Sequence, residues 1–260
     1  MSTKIEWCDE TINPLQDKIK GKSSRGYHCT KISPGCLRCY AEGINNRFGN
    51  RLPFDGRKAE FELIQSELEK PLHWKKPRRI FVQSMGDLFH ERINNRMIDR
   101  VFGAIAYDEN YPLAGFFDNP TPHTYLILTK RPGRILAGHP EHFARWPNIW
   151  LGVTVCNQEE ADEKIPILLQ IPAAVRFISF EPLLSRVNAA QYAAKLDWAI
   201  IGCESGLKRR HTDIEWIEDL KDTFVIYNKP VFIKQAEING KVVKVPKIDG
   251  KEWDQYPEIL

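Results

Sequence analysis

The chain has 260 residues, of which 42% are hydrophobic and 27% are charged, and its formal net charge is +3. This composition is typical of a globular protein with an apolar core, and the small net charge neither requires nor excludes a polyanionic partner. No apolar run reaches the roughly 18 residues of a membrane span. The first residues, MSTKIEWCDE, contain no apolar segment of signal-peptide length. We therefore expect a cytoplasmic protein with reduced thiols.

Short apolar, β-branched runs alternate with segments of helical spacing. They predict strands near 10–16 and at 78–84, 124–130, 149–155, 175–181, 198–204 and 231–235, and helices at 38–48, 61–73, 94–107, 131–145, 157–170, 184–195 and 213–226. This alternation indicates a parallel sheet covered on its outside. About seven such units predict a single-domain α/β fold, a partial or full (β/α) barrel of the TIM type, over residues 1–235. Residues 236–260 are then a C-terminal tail that packs on the barrel or extends it, and a doubly wound open sheet is the structural alternative.

Polar side chains stand where the predicted strands end. Because parallel strands present their C-terminal ends at one face of the sheet, these side chains predict one shared polar pocket. At any single strand, polarity marks nothing more than the end of the strand, but its repetition at six strands favours the pocket. The residues are Gln83, Ser84, Asp87, Thr129, Lys130, Thr154, Glu181, Glu204, Ser205, Lys234 and Gln235.

Cys29, Cys36 and Cys39 form a cluster with the pattern C-x6-C-x2-C. The turn SPG between the first two allows three sulfurs to converge. One interpretation is a structural zinc ion with His28 or Cys8 as the fourth ligand. A second is a [4Fe–4S] cluster held by three thiolates, with one iron left open. Unrelated buried thiols are the third and least favoured interpretation, and the pattern alone leaves zinc and iron–sulfur near parity.

Several segments together resemble one known family, the phage-associated three-Cys-motif proteins, which are similar to a divergent branch of the radical S-adenosylmethionine (SAM) superfamily. The resemblance extends from about Lys4 to Gln235. Its most specific parts are the cysteine motif KISPGCLRCYAE and the segments SMGDLFHE, LTKRP and GCESG. It also rests on KIEWCDETINP, PLHWKKPRRIFVQ, NIWLGVTV and AAVRFISFEPLL.

This resemblance implies a partial or full α/β barrel with a [4Fe–4S] cluster on Cys29, Cys36 and Cys39. It implies that SAM binds the open iron and is reductively cleaved to methionine and a 5′-deoxyadenosyl radical, with electrons from a reductant such as flavodoxin or ferredoxin. Two features depart from the superfamily. Its usual spacing is C-x3-C-x2-C, and Arg38 replaces the aromatic residue that usually precedes the third cysteine. An adenine contact at that position is therefore not implied.

Two motifs imply further SAM contacts. The segment QSMGD is similar to the Ser-x-x-Asp arrangement of the spore photoproduct lyase-like branch, which implies that Ser84 and Asp87 bind SAM, with a carboxylate beside its ammonium group. The structural alternative is that Asp87 caps a helix in LFHERINN. LTKRP resembles the Thr-Lys pair of the same branch and implies that Lys130, supported by Arg131, binds the carboxylate of SAM or a substrate phosphate. The alternative is a solvated basic pair at a helix start.

Three residues are cofactor-binding candidates by position. Thr154 and Glu181 end predicted strands, and Tyr40 directly follows the third cysteine. We expect all three to lie beside the bound cofactors.

Lys130, Glu204 and Cys203 are the catalytic candidates. The glycines on either side of Glu204 in GCESG permit close backbone approach. Cys203 is a candidate hydrogen-atom donor, although a buried structural cysteine is the more ordinary interpretation. Cys8 and Cys156 are expected to be structural.

Two basic segments with aromatic or histidine residues, HWKKPRR (73–79) and LKRRH (207–211), predict contacts with phosphates and bases. With the resemblance, they favour a radical SAM enzyme that acts on a nucleic acid or nucleotide, with its lyase, transferase or oxidoreductase subclass left open. The alternatives are the same chemistry on a small molecule or peptide, and a non-enzymatic, zinc-stabilised nucleic-acid-binding protein.

Overall fold

Strands and helices alternate along most of the chain. The computed structural model describes residues 5–18, 25–55, 60–106, 123–144, 146–206 and 208–258. The strands are β1 (Glu10–Ile12), β2 (Leu15–Lys18), β3 (Arg25–Gly26), β4 (Phe61–Leu63), β5 (Arg79–Val82), β6 (Thr124–Thr129), β7 (Ile149–Thr154), β8 (Arg176–Phe180), β9 (Trp198–Gly202), β10 (Val231–Ile238), β11 (Lys241–Lys244), β12 (Lys247–Ile248) and β13 (Lys251–Glu252). The helices are α1 (Tyr40–Phe48), α2 (Gln65–Glu69), α3 (Asn95–Ile105), α4 (Pro132–Gly138), α5 (Glu141–Ala144), α6 (Gln158–Leu168), α7 (Ala190–Ala193) and α8 (Ile214–Ile226), with 3₁₀ helices at Pro34–Arg38 and Lys70–His73.

One eight-stranded sheet carries the fold. Its order is β1-β5-β6-β7-β8-β9-β10-β11, in which the first seven strands run parallel and β11 pairs antiparallel with β10. The order of the parallel strands never reverses, whereas a doubly wound sheet reverses at its switch point. The predicted α/β class is therefore confirmed. The sheet curls into a half-barrel, which is compatible with a partial β/α barrel. Its strand order excludes the doubly wound alternative.

The two faces of this sheet bury different kinds of side chain. On the outer face, aliphatic residues such as Ile80 and Ile127 pack with the helices. On the inner face, aromatic residues from the strands and the N-terminal segment pack together, because successive strand residues point to opposite faces. They are Trp7, Phe81, Trp150, Phe177, Trp198 and Phe232. This aromatic cluster fills the inner face of the half-barrel.

Asparagine side chains begin two of the outer helices. The side chain of Asn94 accepts a hydrogen bond from the amide of Met97 at 3.0 Å, where α3 begins. That of Asn157 accepts from the amide of Glu160 at 2.9 Å, where α6 begins. Such capping satisfies amides that the first helical turn leaves without a partner. Among the described residues, no helix combines the length and the apolar character needed to cross a bilayer.

Two predicted helices are shorter or broken. The helix predicted at 131–145 is present as α4 and α5, because Pro140 cannot donate the hydrogen bond that would continue α4. Of the helix predicted at 184–195, only α7 is helical. The predicted helix ends at 107 and 145 lie outside the described residues.

The predicted helix 61–73 is wrong at its start. Residues 61–63 form β4, which pairs antiparallel with β2, and β3 completes a small three-stranded sheet. The strand predicted near 10–16 is divided into β1 and β2 at Asn13-Pro14. Pro14 has no N–H to donate to a ladder, which is why the strand stops there.

The chain beyond residue 235 continues the same sheet. β10 runs to Ile238, so the boundary predicted at 235 falls inside a strand, and β11 pairs with its final residues. Ile248 and Trp253 are buried in the outer core. The described part of the C-terminal segment therefore packs on the half-barrel.

Candidate functional site

A cavity of about 580 Å³ opens at the C-terminal ends of the parallel strands. The loop that carries the three cysteines forms part of its wall. Of the polar strand-end residues, Gln83 does not line this cavity, because its side-chain amide is hydrogen-bonded to the backbone of Leu15. The topology brings together in the cavity all eleven residues proposed as catalytic, cofactor-binding or metal-binding. They are Cys29, Cys36, Cys39, Tyr40, Ser84, Asp87, Lys130, Thr154, Glu181, Cys203 and Glu204.

The three cysteines belong to one short segment between β3 and α1. Cys36 lies in the 3₁₀ helix Pro34–Arg38, and Cys39 directly precedes α1. Cys36 is buried, while Cys29 and Cys39 are half-buried. Burial raises the pKa of the Cys29 thiol to about 12. Nearby Arg131 and Lys130 favour the thiolate, but burial outweighs them, so Cys29 stays protonated at neutral pH.

Cys156 packs directly against this segment. Its Sγ lies 3.8 Å from the Oγ of Ser33, and a Cβ placed on Gly35 would lie 2.6 Å from the same sulfur. A side chain at Gly35 would therefore displace the cysteine segment or the strand end beneath it. Burial raises the pKa of the Cys156 thiol to about 11. The sequence marked Cys156 as structural but carried no signal for this contact.

The sulfur positions differ from those of a preformed zinc site. The Sγ atoms of Cys29, Cys36 and Cys39 do not all lie within 4.8 Å of one another. Zinc binds thiolates at about 2.3 Å, so two sulfurs on one tetrahedral ion are about 3.8 Å apart. Neither Cys8 nor His28, the candidate fourth ligands, lines the cavity. Cys8 instead packs in the aromatic cluster of the inner face.

Lys130, at the end of β6, places its ammonium group near the thiols. Burial by itself would lower the pKa of Lys130, but the thiols of Cys36, Cys156 and Cys39 raise it above its usual value. In the part of the chain that the structure describes, no carboxylate lies within ion-pair distance of this ammonium group. The cavity therefore holds a half-buried cation that is available to an anionic ligand.

The carboxylate of Asp87 is fully occupied by hydrogen bonds. Its Oδ1 accepts from the Thr129 hydroxyl at 2.8 Å and from the Phe89 amide at 3.0 Å. Its Oδ2 accepts from the Lys130 amide at 3.0 Å and from Nη1 of Arg131 at 3.1 Å. A carboxylate offers about four acceptor sites, and all four are used. The structural alternative, in which Asp87 caps a helix, is wrong, because residues 87–92 form turns and α3 begins later.

Glu181 and Lys234 form an ion pair in the cavity wall, with 2.7 Å between Oε1 and Nζ. Oε2 of Glu181 also accepts hydrogen bonds from Nε1 of Trp7 at 3.2 Å and from the Ser179 hydroxyl at 3.3 Å. Burial alone would lower the pKa of Lys234, but Glu181 raises it above its usual value. The pair is a half-buried cation and anion in direct contact.

Glu204 is held by arginines. Its carboxylate accepts from the Arg210 amide at 2.8 Å and from the Arg210 guanidinium, and Arg38 Nη1 approaches Oε2 at 3.5 Å. Burial alone would raise the pKa of Glu204, but the hydrogen bonds from Arg210 lower it below its usual value. Glu204 is therefore an ionised anchor for two arginines. The residue that replaces the superfamily's aromatic position, Arg38, is one of them.

The remaining candidates line the cavity in varied settings. The hydroxyl of Tyr40 donates to the carbonyl oxygen of Ser84 at 2.5 Å, which ties α1 to the end of β5. The Ser84 hydroxyl donates to Oδ1 of Asn13 at 3.3 Å. Thr154 ends β7 and is buried. Burial raises the pKa of the Cys203 thiol to about 11, so this thiol is protonated at neutral pH.

One family model, described as a protein of unknown function (DUF5131), matches residues 2–257. The chain belongs to the DUF5131 family. No curated protein and no solved structure matches it. The family match extends through the C-terminal segment that packs on the half-barrel of this DUF5131 chain.

An exposed apolar stripe in this DUF5131 chain begins beside the cavity and extends along α1. It consists of Leu37, Tyr40, Ile44 and Phe48, spaced three or four residues apart along the 3₁₀ helix and α1. Tyr40 and Ile44 also line the cavity, and Phe48 is 79% exposed. Residues 31–51 contain four cationic and one acidic side chain. The spacing of the apolar side chains by three or four residues is visible in the sequence. Which side of the helix is exposed was not predictable from that spacing.

The two basic segments predicted to bind phosphate lie elsewhere in the DUF5131 fold. Arg78 precedes β5 and Arg79 begins it, at the opposite end of the strand from the cavity; they pair with Glu10 and Asp9, respectively. In the second segment, Arg209 pairs with Glu237, and Arg210 with Glu204. Leu207 lies outside the described residues. Each of these four arginines therefore forms an ion pair with a carboxylate.

Proposed function

We propose that this chain is a radical SAM-like enzyme that binds a [4Fe–4S] cluster through Cys29, Cys36 and Cys39 and SAM beside it. One observation carries the proposal. The three thiols of a single loop and the ammonium group of Lys130 line one cavity at the C-terminal ends of a parallel half-barrel sheet. In barrel folds this end of the sheet is where active sites lie.

The residues present fit a cluster better than a single zinc ion. Thiolates are the protein ligands of iron–sulfur clusters, and each of the three would bind a different iron. Sulfurs that do not all lie within 4.8 Å of one another match that requirement better than they match one tetrahedral ion. When bound, the cluster and SAM would supply one-electron cleavage of SAM and a 5′-deoxyadenosyl radical.

The chain's own residues would orient the cofactors by charge. Lys130 lies near the thiols and has no carboxylate partner among the described residues, so it would attract thiolate charge and bind the carboxylate of SAM. Asp87 accepts from the Lys130 amide and from Arg131, so we assign it a positioning role for that strand end. Glu181 and Ser84 are then the polar groups offered to the ammonium end of SAM.

A nucleic acid or nucleotide is the proposed substrate class. Beyond the cavity wall, α1 carries the exposed ring of Phe48, with the Arg47 guanidinium 5.9 Å from its centroid, and further cationic side chains lie in the same segment. Aromatic rings stack on unpaired bases and cations contact phosphates. A base displaced from a strand would enter the cavity beside Tyr40 and Ile44.

The decisive test is metal analysis of anaerobically purified and reconstituted full-length protein. We expect about four irons and four sulfides per chain, with an electron paramagnetic resonance spectrum of the reduced form that changes when SAM is added. Cys36→Ala should abolish this loading, while Cys8→Ala, a buried thiol outside the cavity, should retain it. Protein that lacks iron and sulfide and carries zinc that Cys36→Ala loses would contradict the proposal and favour a zinc-stabilised binding protein.

A further inference from the structure

A second group of metal-ligating side chains lies on the outer helices, away from the cavity. Asp99 belongs to α3, His142 belongs to α5, and His139 lies in the break between α4 and α5. One ligand atom from each of the three lies within 4.8 Å of the other two. None of the three lines the cavity that holds the cysteines.

His139 is the member of this group that ordinary packing leaves unexplained. It is 4% exposed, and its imidazole makes no hydrogen bond within the described part of the chain. No hydrogen bond among the described residues therefore fixes the orientation of this imidazole. Its plane is nearly parallel to that of His142, at 11°, with 5.5 Å between the ring centroids.

The other two members are already in contact. Nε2 of His142 lies 3.0 Å from Oδ1 of Asp99, and the His142 ring stacks on Phe102 with 4.4 Å between centroids. A plain hydrogen bond between helices accounts for Asp99 and His142. This hydrogen bond does not account for His139, one of whose ring nitrogens lies within 4.8 Å of the ligand atoms of Asp99 and His142. Asp99 is 44% exposed, so solvent reaches the group from that side.

We propose that Asp99, His139 and His142 bind a divalent transition-metal ion of the zinc class. Two imidazoles and one carboxylate form a ligand set that suits zinc, with water in the remaining position. The sequence separation His-x2-His is made possible by the break at Pro140, which ends α4 between the two histidines. The ion would join α3 to α4 and α5, and it would be independent of the cysteine site.

The test uses the full-length chain, freed of metal and titrated with Co²⁺ under reducing, anaerobic conditions. Cobalt bound by thiolates shows near-ultraviolet sulfur-to-metal charge transfer, whereas cobalt bound by imidazole and carboxylate shows only visible d–d bands. We expect some of the bound cobalt to show only the visible d–d bands, and we expect zinc to displace this cobalt. Asp99→Asn and His142→Gln should weaken it by more than about 100-fold, since outer-shell changes alone cost about 10–100-fold.

Matched variants keep the result interpretable. His211→Gln removes a histidine that also contacts an aspartate, Asp213 at 2.8 Å, and should leave cobalt binding unchanged. Because His139 is buried, its substitution risks misfolding, whereas Asp99→Asn changes an exposed, isosteric group. Cobalt bound only with thiolate character, equal binding by wild type and Asp99→Asn, or no binding at millimolar metal would each overturn the proposal. Loss of iron from the cysteine site would not overturn it, because the two sites are independent.

Discussion

Gly35 and Cys156 meet at a point where there is no space for a side chain. A Cβ on Gly35 would lie 2.6 Å from the sulfur of Cys156 and 3.1 Å from Cδ of Pro182. The cysteine segment thus rests directly on the ends of β7 and β8, and the cavity wall depends on a glycine between two of the thiols proposed to bind the cluster.

Gly35→Ala should therefore distort the cysteine segment. We expect a loss of about 1–3 kcal/mol of unfolding free energy from overpacking, together with reduced iron loading after reconstitution. Gly35→Ala/Cys156→Ala should recover part of the loading, because the clashing sulfur is removed. Gly43→Ala, where nothing lies within 4 Å of the added Cβ, is the control and should load normally. Equal loading of Gly35→Ala and Gly43→Ala would contradict this account.

Arg131→Met should destabilise the fold strongly. The Arg131 guanidinium and the Asp87 carboxylate are both buried and 3.1 Å apart, so removal of the cation leaves a buried charge unpaired. Such losses cost about 3–5 kcal/mol. Urea unfolding of the purified variant would measure the change. Arg186→Met breaks an exposed pair with Asp219 and should cost about 0–1 kcal/mol; a similar effect in both variants would argue against a special role for the buried pair.

Lys130→Met should weaken SAM binding while the protein stays folded. It removes a cation but keeps an unbranched side chain of similar length. Hydrogen bonds to charged groups contribute about 1.5–3 kcal/mol, which corresponds to a loss of affinity of about 10- to 150-fold. Calorimetric titration of the reconstituted protein with SAM would measure it. Lys244→Met, at the rim of the same cavity, is the matched variant; the assignment fails if both lysines matter equally.

Phe48→Ala should weaken binding of single-stranded nucleic acid. Stacking of one base on an aromatic ring contributes about 1–3 kcal/mol, and Arg47→Gln should reduce the salt dependence of the affinity. Fluorescence anisotropy with a labelled oligonucleotide at several salt concentrations would test both. Ile226→Ala, which removes a side chain of similar exposure (75%) on α8, should have no effect. Unchanged affinity in Phe48→Ala would favour a small-molecule or peptide substrate.

Glu160 should make the stability of the fold depend on acidity. Burial alone would raise the pKa of Glu160, but hydrogen bonds from Lys164 and Ser33 lower it below the usual value. The ionised form therefore stabilises the fold above the unfolded-state pKa of about 4.3. This contribution is lost as the pH falls through the lower, folded-state pKa.

Urea midpoints measured across the acidic range would test this prediction. Glu160→Gln should be less stable than wild type at neutral pH, because it leaves Lys164 buried without its partner 2.6 Å away. The difference should shrink in acid. Glu159→Gln, on the exposed side of the same helix, should follow the wild-type curve.

The sequence by itself determined the alternation of parallel strands and helices and the meeting of polar strand ends in one cavity. Both follow from local properties: runs of β-branched residues form strands, and parallel strands end at one face. Helical spacing alone misassigned residues 61–63, because their strand pairing with β2 is made across more than forty residues.

Only the tertiary structure decided which partners the polar groups have. Asp87 faces Arg131, Glu204 faces Arg210, and Glu181 faces Lys234, so carboxylates that look equivalent in sequence are committed to different cations. His139 likewise meets Asp99 only because the tertiary fold brings the C-terminal end of α4 close to α3. Ion pairs and metal ligands depend on distances of a few ångströms between distant residues, and chain spacing does not encode those distances.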